Sequence, residues 1–344
     1  MPMDDRKQRV LEAIVALYTQ GGEPVGSGLL SQYLDMAVSS ATLRNEMAAL
    51  TKLGLLEQPH TSAGRVPSAK GYRYYLDHLM QPRAGLTPRQ KAQIDQVFAR
   101  LDYEPDKLAE GAAKALAEHT GYTVAATTPR SDDLRIAHFE VVQVGRYSAA
   151  VLGVTSAGGV RTRVARLETC FSRQDAQLVA MALNRGLAFI APADLSAQRL
   201  ASVTASMGER GPALYPVVQA AAALLSEAAK ARTYLEGQQY LLRWPQLEGC
   251  LPGVLELFAD QEKAGRFITP PTGRTSVLLG EDMENPMPGL CVMGKRYLAG
   301  GGLTGAIALL GPVRMPFEQL IPILEYYALK LGECMAGKAQ EDNT

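Results

Sequence analysis

From Asp4 to Gln20 the apolar residues Val10, Leu11, Ile14, Val15, Leu17 and Tyr18 recur at helical spacing, with Asp4 and Asp5 where the helix dipole is positive. This predicts an amphipathic first helix, ended by Gly21 and Gly22 with Pro24 beyond. Ser27 is the expected N-cap of a short second helix, Gly28 to Leu34, whose leucines can pack on the first. A turn from Asp35 to Val38 leads to a third helix, capped by Ser39 or Ser40, running to about Leu53 and stopped by Gly54. Leu43, Met47 and Leu50 share one face of that helix, so Ala41, Arg44, Asn45, Ala48 and Lys52 face the other way. Leu55 to Gln58 then reads as a strand, Pro59 to Gly64 as a polar loop and Arg65 to Pro67 as a return strand, which makes a wing. Helical spacing resumes from Ser68 to Met80.

Beyond Gln81 to Leu86, a linker by composition, Thr87 caps a connector helix to about Leu101, with Pro88 first and Gln90 third. The period then changes. Ile136 to Val144, Tyr147 to Val154 and Val160 to Leu167, broken at Gly145-Arg146 and Gly158-Gly159, predict an antiparallel meander. Ser172 to Ile190, Ala193 to Met207 and Ala213 to Leu242 read as helices, after which strands return at Ser276 to Leu279, Leu290 to Met293 and Leu303 to Leu310. Helices interrupting strands in this order predict an insertion into a sheet domain, within an α+β, multidomain chain. The alanine-rich run Gln219 to Ala231 reads first as core packing and second as a dimer surface.

Length and charge narrow the function. A chain of 344 residues exceeds what one hydrophobic core usually supports. Lys plus Arg and Asp plus Glu balance at 35 each, so bulk electrostatics cannot bind nucleic acid and any contact must be local. Between Ser39 and Tyr75 such a patch exists: Arg44, Lys52, Arg65, Lys70 and Arg73 against Glu46 and Glu57, or 5 minus 2, a local +3. The outward face of the third helix suits a major groove, because arginine can fork onto guanine, asparagine can bridge adenine, and alanines permit close approach. Ser39, Ser40 and Thr42 can hold phosphates beside the helix N-terminus. His60, Thr61, Ser62 and Arg65 give the wing donors and a charge, and Lys70 and Arg73 are available to the backbone. So small a patch implies two copies on an inverted repeat of double-stranded DNA.

Other chemistries find little support. Cys170, Cys250, Cys291 and Cys334 are scattered without the close Cys and His pairs of a zinc site, as expected of reduced thiols in a cytoplasmic protein. No signal peptide or apolar span of membrane length is read, so no membrane association is expected. His60, His78, His119 and His138 lie in no nucleophile or metal motif. Gly289 to Lys295 has P-loop spacing, but Arg296 replaces the magnesium-holding Ser or Thr and the inner residues are strand-like. Gly300, Gly302 and Gly305 fit a dinucleotide fingerprint, yet the run Ala306 to Leu310 stops at Gly311-Pro312, too soon for the required helix. A hairpin explains them better, and neither an enzyme nor a cofactor is expected.

The runs Ser39 to Met47, Leu53 to Ser68 and Gly71 to Tyr75 closely resemble the heat-inducible transcription repressor HrcA family, and Gly305 to Pro316 with Glu325-Tyr326-Tyr327 is similar to that family's closing segment. The likeness around Thr233 to Gly237 is looser. The resemblance implies an N-terminal winged helix-turn-helix, a GAF-like α/β domain and a mainly helical dimerisation domain inserted in it. On this chain it divides into 1–80 for DNA binding, 81–104 as linker and connector, 105–171 and 268–338 as the two parts of the GAF-like domain, 172–267 as the insertion, and 339–344 as a tail. It further implies a homodimer that represses chaperonin and heat-shock operons at an inverted repeat called CIRCE, with activity dependent on the GroEL chaperonin. The alternative is a metabolite-sensing winged-helix regulator whose GAF-like domain is a ligand pocket. An ATP-using enzyme built on Gly289 to Lys295 is a third, weaker reading.

Overall fold

The computed structural model describes residues 3–34, 39–60, 63–80, 85–130, 135–156, 159–228, 230–300 and 302–337. Its first unit contains helices α1 (Asp5–Gly21), α2 (Ser27–Tyr33) and α3 (Ser40–Lys52), strands β1 (Leu56–Glu57) and β2 (Val66–Pro67), and α4 (Ala69–Tyr74), which widens into a π turn over Tyr75–Leu79. The expected turn from Asp35 to Val38, the start of the 81–86 linker and the tail lie outside the described residues. Asp4 caps α1 through its carboxylate, and Gly22 ends the helix in the left-handed conformation. Ser27 is not the cap expected of it: Gly26 holds that position, and Ser27 is the first helical residue. Ser39 caps α3 by accepting the Thr42 N–H at 3.2 Å.

A connector helix follows, α5 (Pro88–Phe98), with the reciprocal Thr87 and Gln90 capping bonds that its sequence requires. Then come α6 (Pro105–Thr120), β3 (Thr123–Thr127), the meander β4 (Ile136–Gly145), β5 (Ser148–Thr155) and β6 (Val160–Arg166), and helices α7 (Arg173–Gly186), α8 (Ala197–Ala205) and α9 (Gly211–Ala228). The chain closes with β7 (Thr233–Glu236), α10 (Leu251–Ala259), α11 (Gln261–Ile268), β8 (Ser276–Leu279), β9 (Leu290–Leu298), β10 (Thr304–Pro312) and α12 (Phe317–Met335).

These elements make two sheets besides the wing. Five antiparallel strands in the order β7-β3-β10-β9-β8 form the centre of the body. The inner strands β3 and β10 are near-continuous buried runs because both faces are covered. Ile307 and Leu309 of β10 join Val124 and Ala126 in a core beneath α6 and α12, whereas Ala306, Ala308 and Leu310 join Val292 and Ala125 in a second core beneath α10 and α11. Gly289 is a left-handed turn residue immediately before β9, and Gly300 and Gly302 carry φ of +79° each in the β9–β10 hairpin, so both nucleotide-like glycine patterns belong to strand architecture.

The other sheet, β4-β5-β6, lies apart. Phe139, Val141 and Val151 on its inner face share a core with Val179 and Leu183 of α7 and with Leu214, Val218 and Leu225 of α9. This corrects the expected boundary at 171/172, which would cut through one hydrophobic core. The inserted unit begins with the meander, near residue 135, and ends with α9; it remains mainly helical but carries a three-stranded sheet of its own. The upper limit at 267 is corrected for the same reason, since α10 and α11 pack on the body sheet. A second correction concerns Ala213 to Leu242, expected as one helix. The helix stops at Ala228, and Thr233 to Glu236 become the edge strand β7, pairing with β3 through Val124↔Glu236 and Thr127↔Thr233. Pairing with a strand a hundred residues upstream outweighs the local helical spacing.

Two crossings join insert and body, and a buried ionic cluster seals them. Arg161 of β6 ion-pairs with Asp106 of α6, both about 9% exposed, and the Tyr234 hydroxyl donates to the same Asp106 at 2.7 Å. The first unit is likewise welded to the body: Val10, Leu11 and Ile14 of α1 belong to the same core as Leu320, Leu324 and Leu331 of α12.

Candidate nucleic-acid interface

Leu43, Met47 and Leu50 of α3 are buried against α1 and α2, each 5% exposed or less, and this orients the rest of the helix. Ala41, Arg44, Asn45, Ala48 and Lys52 form a continuous exposed stripe, as their spacing requires. Arg44 reaches back from it: its Nε donates to the Ser27 hydroxyl at 3.2 Å, tying the start of α2 to the stripe. Ser27, left out of the predicted site, is thus placed beside it; the helical spacing of α2 gives no sign of a contact made across the turn. Ser39 and Ser40 are exposed at the α3 N-terminus, with the Ser39 and Thr42 hydroxyls 3.0 Å apart.

The end of α3 and the wing are fastened by several side chains, one of which, Lys70, the sequence offered for DNA. Lys70 Nζ donates to the Leu53 carbonyl at 3.0 Å, a cation on the negative end of the helix. The Ser68 hydroxyl donates to the Gly54 carbonyl at 2.6 Å. Gly71 packs so closely that a Cβ there would lie 2.0 Å from the Leu55 carbonyl oxygen, so only glycine fits. Beyond β1 and β2 the wing gains a third partner, because Val25 exchanges backbone hydrogen bonds with Arg65 at 2.8 and 2.9 Å.

Two expected contacts are repositioned. Arg65 was expected to charge the wing tip, but it stands at the base of the return strand, half-buried, and its Nε donates to Thr51 Oγ1 of α3 at 3.1 Å. Arg73 was expected at a DNA phosphate, yet it turns into the body, where Nη1 donates to the Val277 carbonyl at 3.0 Å and Nη2 ion-pairs with Asp282. A bidentate site on β8 and the turn after it outcompetes solvent for a guanidinium fork. His60 is exposed on the wing, and Thr61 and Ser62 lie outside the described residues.

The charge at the interface survives these changes. Arg73 leaves it, paired with Asp282, while Glu46 is offset by Lys7 Nζ at 3.2 Å. Arg44, Lys52, Arg65 and Lys70 against Glu57 give 4 minus 1, still +3. Beneath them Tyr72 is buried edge-on to Phe317 of α12 with centroids 6.5 Å apart, and burial holds its phenol well above the ordinary tyrosine range. The Tyr75 hydroxyl donates to Glu318 at 2.9 Å. The DNA-facing unit therefore has a fixed aspect relative to the body.

Three helices with an exposed basic stripe on the third, followed by a wing and joined to an α/β body, define a winged-helix transcription regulator. The family described as HrcA protein C terminal domain matches residues 106–321. The chain belongs to the heat-inducible transcription repressor HrcA family. A relative of that name from Moorella thermoacetica is 34% identical over 343 residues, covering 97% of this chain and 98% of its own. Another, from Symbiobacterium thermophilum, is 32% identical over 337 residues, covering 96% and 98%. A solved structure described as a hypothetical protein at 2.2 Å resolution shares the fold, with TM-score 0.64 at 23% identity over 98% of each chain. Among the described residues no helix is long and apolar enough to cross a membrane, and no group of His, Cys, Asp and Glu is placed to hold a metal ion.

Proposed function

We propose that this protein represses chaperonin and heat-shock operons by binding, as a homodimer, an inverted-repeat CIRCE operator, with its activity dependent on the GroEL chaperonin. The observation that carries the DNA half is the exposed stripe Ala41, Arg44, Asn45, Ala48 and Lys52, flanked by a wing and carrying a local +3. Ser39, Ser40, Thr42 and Lys70 supply backbone contacts around it, and Arg65 adds a charge at the wing base. Family membership supports the operator and the chaperonin.

Dimerisation is supported by the inserted unit. The outer face of the meander carries Val142, Val144, Val160 and Val164, exposed by 47, 63, 43 and 58%. Cross-strand register aligns Val142, Ala150 and Val164 in one row and His138, Val154 and Val160 in another, with Glu140, Leu152 and Thr162 in the row between, so the face is valine-rich with a polar pair, His138 and Glu140, at one strand. A second copy of the chain is the occupant proposed for it, in preference to the alanine-rich α9, whose Val217, Ala221 and Leu225 are already buried.

The test is an operator titration of purified protein against the inverted repeat and a scrambled control at two salt concentrations. The expected result is a specificity of at least about 10³-fold and tighter operator binding when GroEL is added. Equal affinity for both DNAs would overturn the repressor reading, and no response to GroEL would remove the chaperonin from it.

A further inference from the structure

A cavity of about 790 Å³ opens where the inserted unit meets the body. Thr127 ends β3 on one side of it, and Thr304 begins β10 beside it; α11 forms a wall, and Lys230 stands at the second crossing. The two crossings are tied down here. Arg130 exchanges backbone hydrogen bonds with Thr304 at 2.7 and 3.0 Å, and the Thr128 N–H donates to the Arg232 carbonyl at 2.8 Å.

The lining is cationic out of proportion to a neutral chain. Among the described lining residues, Lys230, Arg266 and Arg296 stand with one carboxylate, Glu262, and that carboxylate is engaged by Arg266. Among the described residues neither Lys230 nor Arg296 has an ion-pair partner. Arg296 is half-buried, and its Nε donates to the Pro270 carbonyl at 2.5 Å, which fixes the guanidinium plane while leaving both terminal nitrogens as donors. Its neighbour Lys295 points to the opposite face of β9 and meets Glu325 at 3.5 Å. A pinned, partly desolvated guanidinium without a carboxylate is costly unless an anion completes it, and pinning lowers the entropy lost on binding. The volume falls in the range of small-ligand sites.

We infer that this cavity binds a small polyanionic metabolite, phosphorylated or polycarboxylate, which bridges the second crossing, at Lys230, to the body sheet at Arg296. Binding there makes the orientation of the insert depend on the ligand, and it is independent of operator recognition. The Thr127 hydroxyl accepts the Ala306 N–H at 3.0 Å, so its own hydrogen can be donated to the ligand.

Calorimetry of the full chain with pyrophosphate and, separately, citrate, at constant ionic strength set with chloride, tests the assignment. Saturable binding of at least one probe is expected, weakened tenfold or more in Arg296→Gln and in the milder Lys230→Gln, whose side chain is exposed and whose folding is not at risk. The probe that binds identifies the ligand chemistry. No saturable binding of either probe, or binding unchanged in both variants, would overturn the site. Trypsin cleavage after Lys230 should slow at least fivefold with the bound probe; an unchanged rate would remove the bridging role.

Discussion

Arg44 and Arg73 carry the same charge in the same basic segment, and their surroundings give them opposite tasks. Arg44 stands on the exposed stripe of α3 with a single neutral partner, Ser27, whereas Arg73 is held by Asp282 and the Val277 carbonyl. Arg44→Ala should weaken operator binding by about 1–3 kcal/mol and relax sequence preference, read by titration against operator and scrambled DNA. Arg73→Ala should leave the slope of log affinity against log salt unchanged, where loss of a phosphate contact would flatten it by about 0.9. Because both partners of the Arg73 pair are more than a third exposed, its removal should lower stability by no more than about 1 kcal/mol. Spacing alone identified the stripe, since burial of Leu43, Met47 and Leu50 dictates what faces out. Nothing in the spacing of Arg65 or Arg73 reveals the distant groups that engage them.

At the scale of elements, local signals succeed wherever an element is stabilised by its own residues. The capping box of α7 is an example: Ser172 and Asp175 bond reciprocally, and Arg210 clamps Asp175 with two hydrogen bonds of 2.8 and 2.7 Å. The Arg210 fork and the Ser172 donors lower the Asp175 pKa to about 2, against 3.8 for a free aspartate. A depressed carboxylate stabilises the folded state fully above pH 3.8, and that contribution is lost as the pH falls towards 2. Arg210 is 44% exposed, which trims the contribution to about 1–2 kcal/mol. Asp175→Asn should therefore lower the melting temperature at neutral pH, with the difference from wild type vanishing near pH 2. The meander was equally legible, because β5 alternates buried and part-buried positions without a break. By contrast, β3 and β7 depend on each other and on β10. β3 is five consecutive buried residues with no alternation to announce it, and β7 follows an alanine-rich helix that masks its start.

Across the whole molecule, the insert carries the exposed valines proposed to meet another copy of the chain. Its open valine face predicts a simple asymmetry: Val164→Glu should fold as well as wild type, within about 0.5 kcal/mol, because the position is exposed in one chain. In a dimer built on that face the same glutamate would be an unpaired buried charge, costing several kcal/mol. Sedimentation equilibrium should show association weakened at least a hundredfold, and an unchanged dimer would place the interface elsewhere. With the winged helix fixed to its body through Phe317 and Glu318, the spacing of the two recognition helices in the proposed dimer would be set by how the inserts pair.

By itself the sequence determined the winged helix and its outward face, the meander, the caps at Ser39 and Thr87 and the strand character of the glycine-rich segments. All of these rest on neighbours within a few turns of chain, whose periodicity and capping chemistry are written locally. Tertiary structure alone decided that the meander belongs to the insert, that Thr233 to Glu236 is a strand, that Arg73 is paired to the body, and that Lys230 and Arg296 meet in one cavity. Each of these depends on groups brought together from far apart in the chain, and residue spacing carries no record of a distant partner.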